Sequence, residues 1–278
     1  MKHSKRNMVM AAIASLTLLL AGCSTAPITK NSTGIWDHWI VYNFSRAIVW
    51  LSQLFGGNFG WGIIIFTIII RIIILPLMIY QTKSSMKTAE IQPKVQALQK
   101  KYSSKDVETQ QKLREEQQKL YSEAGVNPVA GCLPLIVQLP ILYALFAAVN
   151  RTEILKAGTF LWLQLGDKDP YFILPIVAAV FTYISSWLSM KSQPMQNGMT
   201  TMMTVGMPVI IFFTAMSVPS AVSLYWVVTN IFQAGQTLVL QNPFKINRER
   251  EAKAKAERDR KRAIEKAKRQ AYKGRKRK

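Results

Sequence analysis

The sequence predicts an all-α integral membrane protein: five transmembrane helices around a hydrophilic groove, an N-terminal interfacial amphipathic helix and a cytoplasmic helical hairpin. Three observations carry this reading. Apolar blocks recur at about 60–80, 128–150, 170–190, 200–217 and 221–241, each near the length that crosses a bilayer. Basic residues gather between and after the blocks rather than within them. One block, Trp61–Tyr80, nevertheless holds a single ionisable residue, Arg71.

Residues 1–22 read as a secretory signal, with Lys2, Lys5 and Arg6 ahead of an apolar Met8–Leu20 too short for a span. Leu20-Ala21-Gly22-Cys23 resembles the bacterial lipobox, in which the cysteine is acylated and becomes the mature N-terminus. That would anchor Cys23 by lipid on the outer face. An ordinary signal peptide with an incidental cysteine is the alternative. Cys132 is the one other cysteine, so no disulfide framework is expected.

Residues 23–59 then hold the anchor, a short flexible linker over 24–34 and an amphipathic helix. Ile35–Phe55 repeats apolar and aromatic residues on a helical period, with Asp37, His38, Asn43 and Arg46 between them. Three tryptophans suit the outer interface, whereas a true span would strand Asp37 and Arg46. His38 is expected as an interfacial polar group, with no metal site to argue for.

The first span covers 60–82, with Pro76 tolerated near its end. Residues 83–127 are polar. Ile91, Val95, Leu98 and Tyr102 recur at helical spacing, as do Leu113, Leu120 and Ala124, while Ser103, Ser104 and Asp106 supply turn and N-cap chemistry. An antiparallel helical hairpin with basic faces follows. Residues 128–241 hold spans two to five: Val129–Val149, kinked at Pro134 and Pro140, then Tyr171–Met190, Met199–Ser217 and Ala221–Leu240. Arg151–Asp169 forms a mixed-charge outer loop, and residues 242–278 are a basic tail.

The formal charge of +21 comes mostly from Lys83–Lys119, with nine Lys or Arg, and Lys245–Lys278, with seventeen. Such blocks call for an anionic partner, either a membrane surface or RNA. With an outside N-terminus and five spans, the inside segments carry 27 basic residues against five outside. The positive-inside rule therefore agrees with a lipid anchor outside and a cytoplasmic C-terminus.

Arg71 lies roughly 14 Å from either end of its block, near the midplane, where insertion costs about 3 kcal/mol. Its side chain is too short to reach either interface. A functional cation facing a wet interior is the first reading; an arginine neutralised by a neighbouring helix is the other. No other apolar block offers Asp or Glu. On the fifth span Trp226, Thr229, Asn230, Gln233, Gln236 and Thr237 share one helical face, and Thr182, Ser186 and Ser189 repeat the pattern on the third. Thr67 sits one turn before Arg71. These faces should converge on a hydrated cavity or serve as interhelical hydrogen-bond glue, and Gln138 on the second span fits either role. Met199, Met202, Met203, Met207 and Met216 suit an adaptable apolar surface or plain packing. Nucleophile–base pairs, Gly-rich phosphate loops and metal-ligand spacings are all missing, so no enzyme and no cofactor are expected.

Several stretches resemble the YidC/Oxa1/Alb3 membrane protein insertases, in family order. They are Trp61-Gly62 leading to Arg71 and Pro76, Ile91 to Ala97, Asn127-Pro128-Val129-Ala130-Gly131-Cys132-Leu133-Pro134-Leu135, Asp169 to Pro175, and Pro219-Ser220 through Leu224-Tyr225-Trp226. The lipobox and basic tail look like the Gram-positive branch, particularly its second paralogue. The resemblance implies a five-helix core whose groove opens to the cytoplasm and to lipid and is closed outside. Arg71 corresponds to the family's groove arginine, and Thr67 and Phe172 fall where substrate contacts are attributed in relatives. Some relatives carry Gln in place of Ser186. The loop resembling 83–127 is the proposed first docking site for incoming chains.

The function expected is insertion and folding of small membrane proteins at the bacterial cell membrane, alone or with the Sec translocon, by a monomer. The groove residues would be Arg71, Thr67, Gln138, Phe172, Ser186, Trp226, Asn230, Gln233 and Gln236. Partners would be nascent membrane proteins, the ribosome through rRNA on the basic tail, and anionic lipids. The alternative is a small-solute transporter using Arg71 as an anion site, which lacks inverted repeats.

Overall fold

The computed structural model describes residues 26–126, 133–194 and 198–275, most of them helical. The signal segment, the lipobox with Cys23 and the stretch 127–132 that introduces the second apolar block lie outside the described residues.

A π-helical segment, Ile35–Val41, runs directly into α1, Tyr42–Leu54. Val41, Ser45, Ile48, Leu51 and Ser52 face inward, while Trp39, Trp50 and Leu54 are exposed on the opposite side. The segment is thus amphipathic, with an aromatic outer face. One expectation changes here. The linker is tied down from Ala26, whose carbonyl accepts Arg151 Nε at 2.8 Å, and the Ile28 amide donates to the Arg151 carbonyl at 2.7 Å. Asp37, expected on the polar face of the amphipathic helix, forms a two-pronged pair with Arg151 at 2.9 and 2.6 Å, both side chains largely buried. A carboxylate and a guanidinium removed from water this way must satisfy each other.

Helix α2, Phe59–Lys101, begins at Asn58, whose side chain accepts the Gly60 and Trp61 amides. Its 43 residues run about 65 Å without a break. The expected boundary at residues 82–83 is therefore absent: span and first hairpin arm are one helix. Residues 83–101 contain no glycine and are rich in Lys, Gln and Ala, all good helix formers, and the helix runs on to Lys101 despite Pro93. Pro76 and Pro93 lie inside it. After a short turn, Asp106 caps α3, Val107–Glu123, by accepting the Thr109 amide at 2.8 Å. Helix α3 touches α2 and buries none of its residues.

Helix α4, Leu133–Arg151, continues through Pro140 and leads to the short α5, Glu153–Lys156. The loop expected over 151–169 also carries a small antiparallel hairpin, β1 Thr159–Phe160 with β2 Leu163–Gln164. Helices α6, Ile173–Lys191, α7, Gly198–Ala215, and α8, Ser220–Leu240, follow, and the tail forms α9, Pro243–Arg275. Helix α6 packs on both α7 and α8, and α8 packs on α2.

Among the described residues, α2 and α6 have the length and apolarity to cross a membrane. Helices α4 and α7 contribute shorter apolar segments, Leu135–Arg151 and Thr200–Ala215. Helix α8 has the length but carries the polar stripe.

The core lies toward the N-terminal ends of α2, α6 and α8. Ile48, Ile63, Phe66, Leu145, Phe160, Leu163, Leu165 and Tyr225 share one apolar cluster. Close approach there depends on glycine. A Cβ on Gly62 would come within 2.1 Å of Ser52 Oγ and 2.7 Å of the Ile48 carbonyl oxygen. Gly60 likewise lies against the Phe160 ring.

Candidate functional site

Residues Gly60, Ile63, Thr67, Arg71 and Met78 form the buried stripe of α2, at spacings of three, four and seven. Ile69, Ile72, Ile73 and Leu77 face outward. Arg71 therefore points into the protein, 6% exposed, with apolar side chains on the opposite side of its helix. Its Nη2 donates to Gln138 Oε1 at 3.0 Å, and the Gln138 amide nitrogen donates to the Tyr225 hydroxyl. One network thus joins α2, α4 and α8 around a charge that no carboxylate neutralises among the described residues. An amide relay satisfies donors but leaves the positive charge in place.

The contacts of Arg71 are Gln138 on α4 and Tyr225 on α8, at the edge of the stripe that runs from Trp226 to Thr237. Tyr225 borders that stripe, one turn before Thr229 and eleven positions before Gln236 on the same side of α8. Trp226 is itself 9% exposed and belongs to the apolar core. Thr67 is fully buried and donates its hydroxyl to the Ile63 carbonyl at 2.7 Å. Asn230 is used across the α6–α8 contact: its carbonyl accepts Ser185 Oγ at 3.1 Å and its amide donates to the Trp226 carbonyl at 2.9 Å. Thr229 Oγ1 is buried with no hydrogen-bond partner among the described residues.

The polar groups below this layer do open onto space. A polar cavity of about 140 Å³ is lined by Gln81, Thr82 and Ser85 of α2, Ser189 of α6 and Gln233, Gln236 and Thr237 of α8, with Ser192, Gln193, Gln241 and Arg250 beneath them. A second space of about 240 Å³ lies between α6 and α7 and is lined by Ser185, Ser186, Met203 and Thr204. Gln233, Ser189 and Gln193 border both. Ser186 lines the second space, Gln236 the first and Gln233 both. Phe172 does not: it lies at the opposite end of α6, 44% exposed, in a left-handed backbone conformation (φ 56°) that starts the helix.

Helix α9 docks at the border of this polar end. Asn247 Nδ2 and Arg250 Nη1 donate to the Lys191 and Ser192 carbonyls at 2.9 and 2.8 Å, where α6 has run out of its own amide donors. The Lys191 ammonium sits 4.6 Å from the Trp187 ring centre and 4.8 Å from that of Phe244. At the other end a loop is held down by hydrogen bonds. Asp169, 3% exposed, accepts Trp162 Nε1 at 3.0 Å and the Tyr171 and Leu174 amides at 3.1 and 2.7 Å. Ser220 donates its amide to the Asp167 carbonyl and its hydroxyl to the Gln164 carbonyl, both at 2.7 Å. Loop 157–172 is thereby fastened across the starts of α6 and α8.

Tyr225, Gln81, Ser85, Gln193, Gln241 and Arg250 escaped the sequence reading. A signal existed for part of this set, since Arg71, Met78, Thr82, Ser85 and Ala89 continue one helical face. Placing the end of the span at residue 82 cut that face short. Tyr225 was hidden inside an apolar run.

Comparison with known proteins places this arrangement. The family model described as 60Kd inner membrane protein matches residues 50–249. The membrane protein insertase YidC of Pediococcus pentosaceus is 69% identical over 255 residues, 91% of each chain. Membrane protein insertase YidC 2 of Lactiplantibacillus plantarum is 64% identical over 253 residues, again 91% of each chain. The Enterococcus faecalis membrane protein insertase YidC is 56% identical over 276 residues, 99% of this chain and 100% of the other. A crystal structure of an active YidC insertase with its first transmembrane domain resolved superposes with a TM-score of 0.58 at 33% identity. That match covers 73% of this chain, which spans 46% of the solved one. The chain belongs to the 60Kd inner membrane protein family, the cell-membrane family of the YidC proteins.

Proposed function

We propose that this chain is a membrane protein insertase and folding chaperone that receives nascent membrane proteins in a hydrophilic groove containing Arg71. The observation that carries the reading is Arg71 itself. It is buried in an apolar helix, held by the Gln138 amide and the Tyr225 phenol with no carboxylate among the described residues, and lies a few turns from a polar cavity. Relatives named membrane protein insertase support the same activity.

In this reading α2, α4, α6, α7 and α8 are five membrane-spanning helices, with loop 157–172 outside and the polar cavity facing the cytoplasm. Arg71 attracts an acidic or polar segment of the client, because charges act more strongly where water is scarce. Gln233, Gln236 and Ser186 hydrogen-bond that segment in transit. The client's apolar helix then leaves sideways into lipid, driven by burial of its apolar area. Phe172 meets the client near the outer surface. Cys23 carries the lipid anchor outside, and the arm formed by the second half of α2 with α3 receives incoming chains. Helix α9 binds ribosomal RNA through its phosphates, with anionic lipid as its other surface. The chain acts as a monomer, alone or with the Sec translocon.

The test is crosslinking. A photoreactive residue at Gln233 or Ser186, in full-length protein reconstituted in liposomes, should capture a ribosome-bound single-span nascent chain. Capture of none at either position, with insertion intact, would refute the groove.

A further inference from the structure

The polar cavity contains one charged group, and it comes from the tail. Around it are amides and hydroxyls, chiefly Gln81, Ser85, Gln193, Gln233 and Gln241, which can donate or accept. Among the described residues no Asp or Glu lines the space, and Arg250 supplies the sole formal charge in its wall. A guanidinium has five N–H donors, and among the described residues Arg250 has one hydrogen-bond acceptor, the Ser192 carbonyl. Arg250 is only partly exposed, and its first donor is fixed on the end of α6, so its position is set before any ligand arrives.

The location matters as much as the charge. Gln81 and Ser85 lie ten and fourteen residues beyond Arg71 on the same unbroken helix, roughly 15–21 Å further along. The protein therefore holds two cations in series along α2, one buried and one at the mouth. Between them are neutral groups able to bond a carboxylate in either direction of travel.

We infer that Arg250 and the amides around it form an acid-binding site at the groove mouth, which takes an aspartate or glutamate side chain of the incoming polar segment before that segment reaches Arg71. This rests on the insertase reading above. Space of about 140 Å³ admits one carboxylate with its hydration rather than a folded element. Because Arg250 lies near the start of α9, the same helix that carries the basic tail also carries the mouth cation. Chain delivery and acid capture are thereby coupled in one rigid piece.

The experiment uses full-length protein in liposomes with a photoreactive residue at Gln241 and, separately, at Ser186. The probe is a ribosome-bound single-span nascent chain with either two Asp or two Asn in its leading segment. Capture at Gln241 should be several-fold stronger for the Asp chain. Arg250→Gln can still donate to the Ser192 carbonyl but has no charge, and should remove that preference while Ser186 still captures the chain. Arg250→Lys should keep it within about twofold. Arg250→Glu should reverse it, favouring a probe with two Lys, an outcome that mere loss of helix capping would not produce. Equal capture of Asp and Asn chains at Gln241, unchanged in Arg250→Gln, would overturn the mouth site and leave the groove standing. Capture at neither position for any probe would overturn the groove reading itself.

Discussion

Arg71 and Gln138, sixty-seven positions apart in sequence, meet through a 3.0 Å hydrogen bond that connects α2 to α4. The glutamine satisfies the guanidinium without cancelling its charge. Gln138→Leu should destabilise the protein by about 2 kcal/mol, the usual size for losing a hydrogen bond to a charged group. Gln138→Glu should fold well, because it gives Arg71 a counterion, yet lose insertion of acidic clients. Arg71→Ala should lose it too, and Arg71→Lys should partly restore it. Thermal unfolding in detergent and insertion into liposomes separate the two readouts; full insertion by Gln138→Glu would show that the charge is dispensable.

The Asp37–Arg151 pair fastens the N-terminal segment to the end of α4. Both side chains are largely buried, so removing one leaves an uncompensated charge. Asp37→Ala should cost about 3 kcal/mol, and the loss should change little between low and high salt. The double exchange Asp37→Arg with Arg151→Asp should recover part of it. Salt-dependent unfolding temperatures of the three proteins check this.

Gly62 should tolerate nothing larger. A Cβ there meets Ser52 and the Ile48 carbonyl, which is backbone and cannot swing away. Gly62→Val should cost about 2 kcal/mol or more through forced separation of α1 and α2. Pairing it with Ser52→Gly should return some of that, measured again by unfolding temperature.

At the tip of the long arm, hydrogen bonds from the Ser104 hydroxyl and the Thr109 amide hold the Asp106 carboxyl down at about 2. A depressed carboxyl stabilises the fold above its ordinary value and loses that contribution as pH falls through the folded one. The start of α3 should therefore stay capped at pH 4 and fray only near pH 2. Carboxyl-carbon NMR of the labelled residue should titrate near 2, and Ser104→Ala should move it up toward the usual carboxylate range.

Truncation after Glu251 keeps Asn247 and Arg250 docked on α6 but removes most of the basic surface. Ribosome co-sedimentation should fall and lose its steep salt dependence, while unfolding temperature stays put. Unchanged co-sedimentation would assign the tail to lipid.

What could be read in advance follows from periodicity. The buried face of α2, the stripe on α8 and the amphipathic Ile35–Phe55 segment declare themselves because burial repeats along a helix. Arg71 stood out because a charge in an apolar block has no local explanation. Gln138 stood out as the polar group of its span, but its pairing with Arg71 and Tyr225 did not, since the three meet only after α2, α4 and α8 assemble. The Asp37–Arg151 pair was hidden for the same reason. The missed boundary at residue 82 had another cause: polarity changes there, but helix propensity does not, and the backbone follows propensity.

Helix α2 is one rod from Phe59 to Lys101, with Pro76 part way along. Prolines remove one backbone hydrogen bond and make a helix easiest to bend at that point. From Pro76 to Lys101 is roughly 38 Å, so a 10° flex there would carry the tip through roughly 6–7 Å. The residue that holds Gln138 lies only five positions before that proline. A chain pressing on the distant arm would thus bend the rod at Pro76, little more than one turn beyond the buried Arg71.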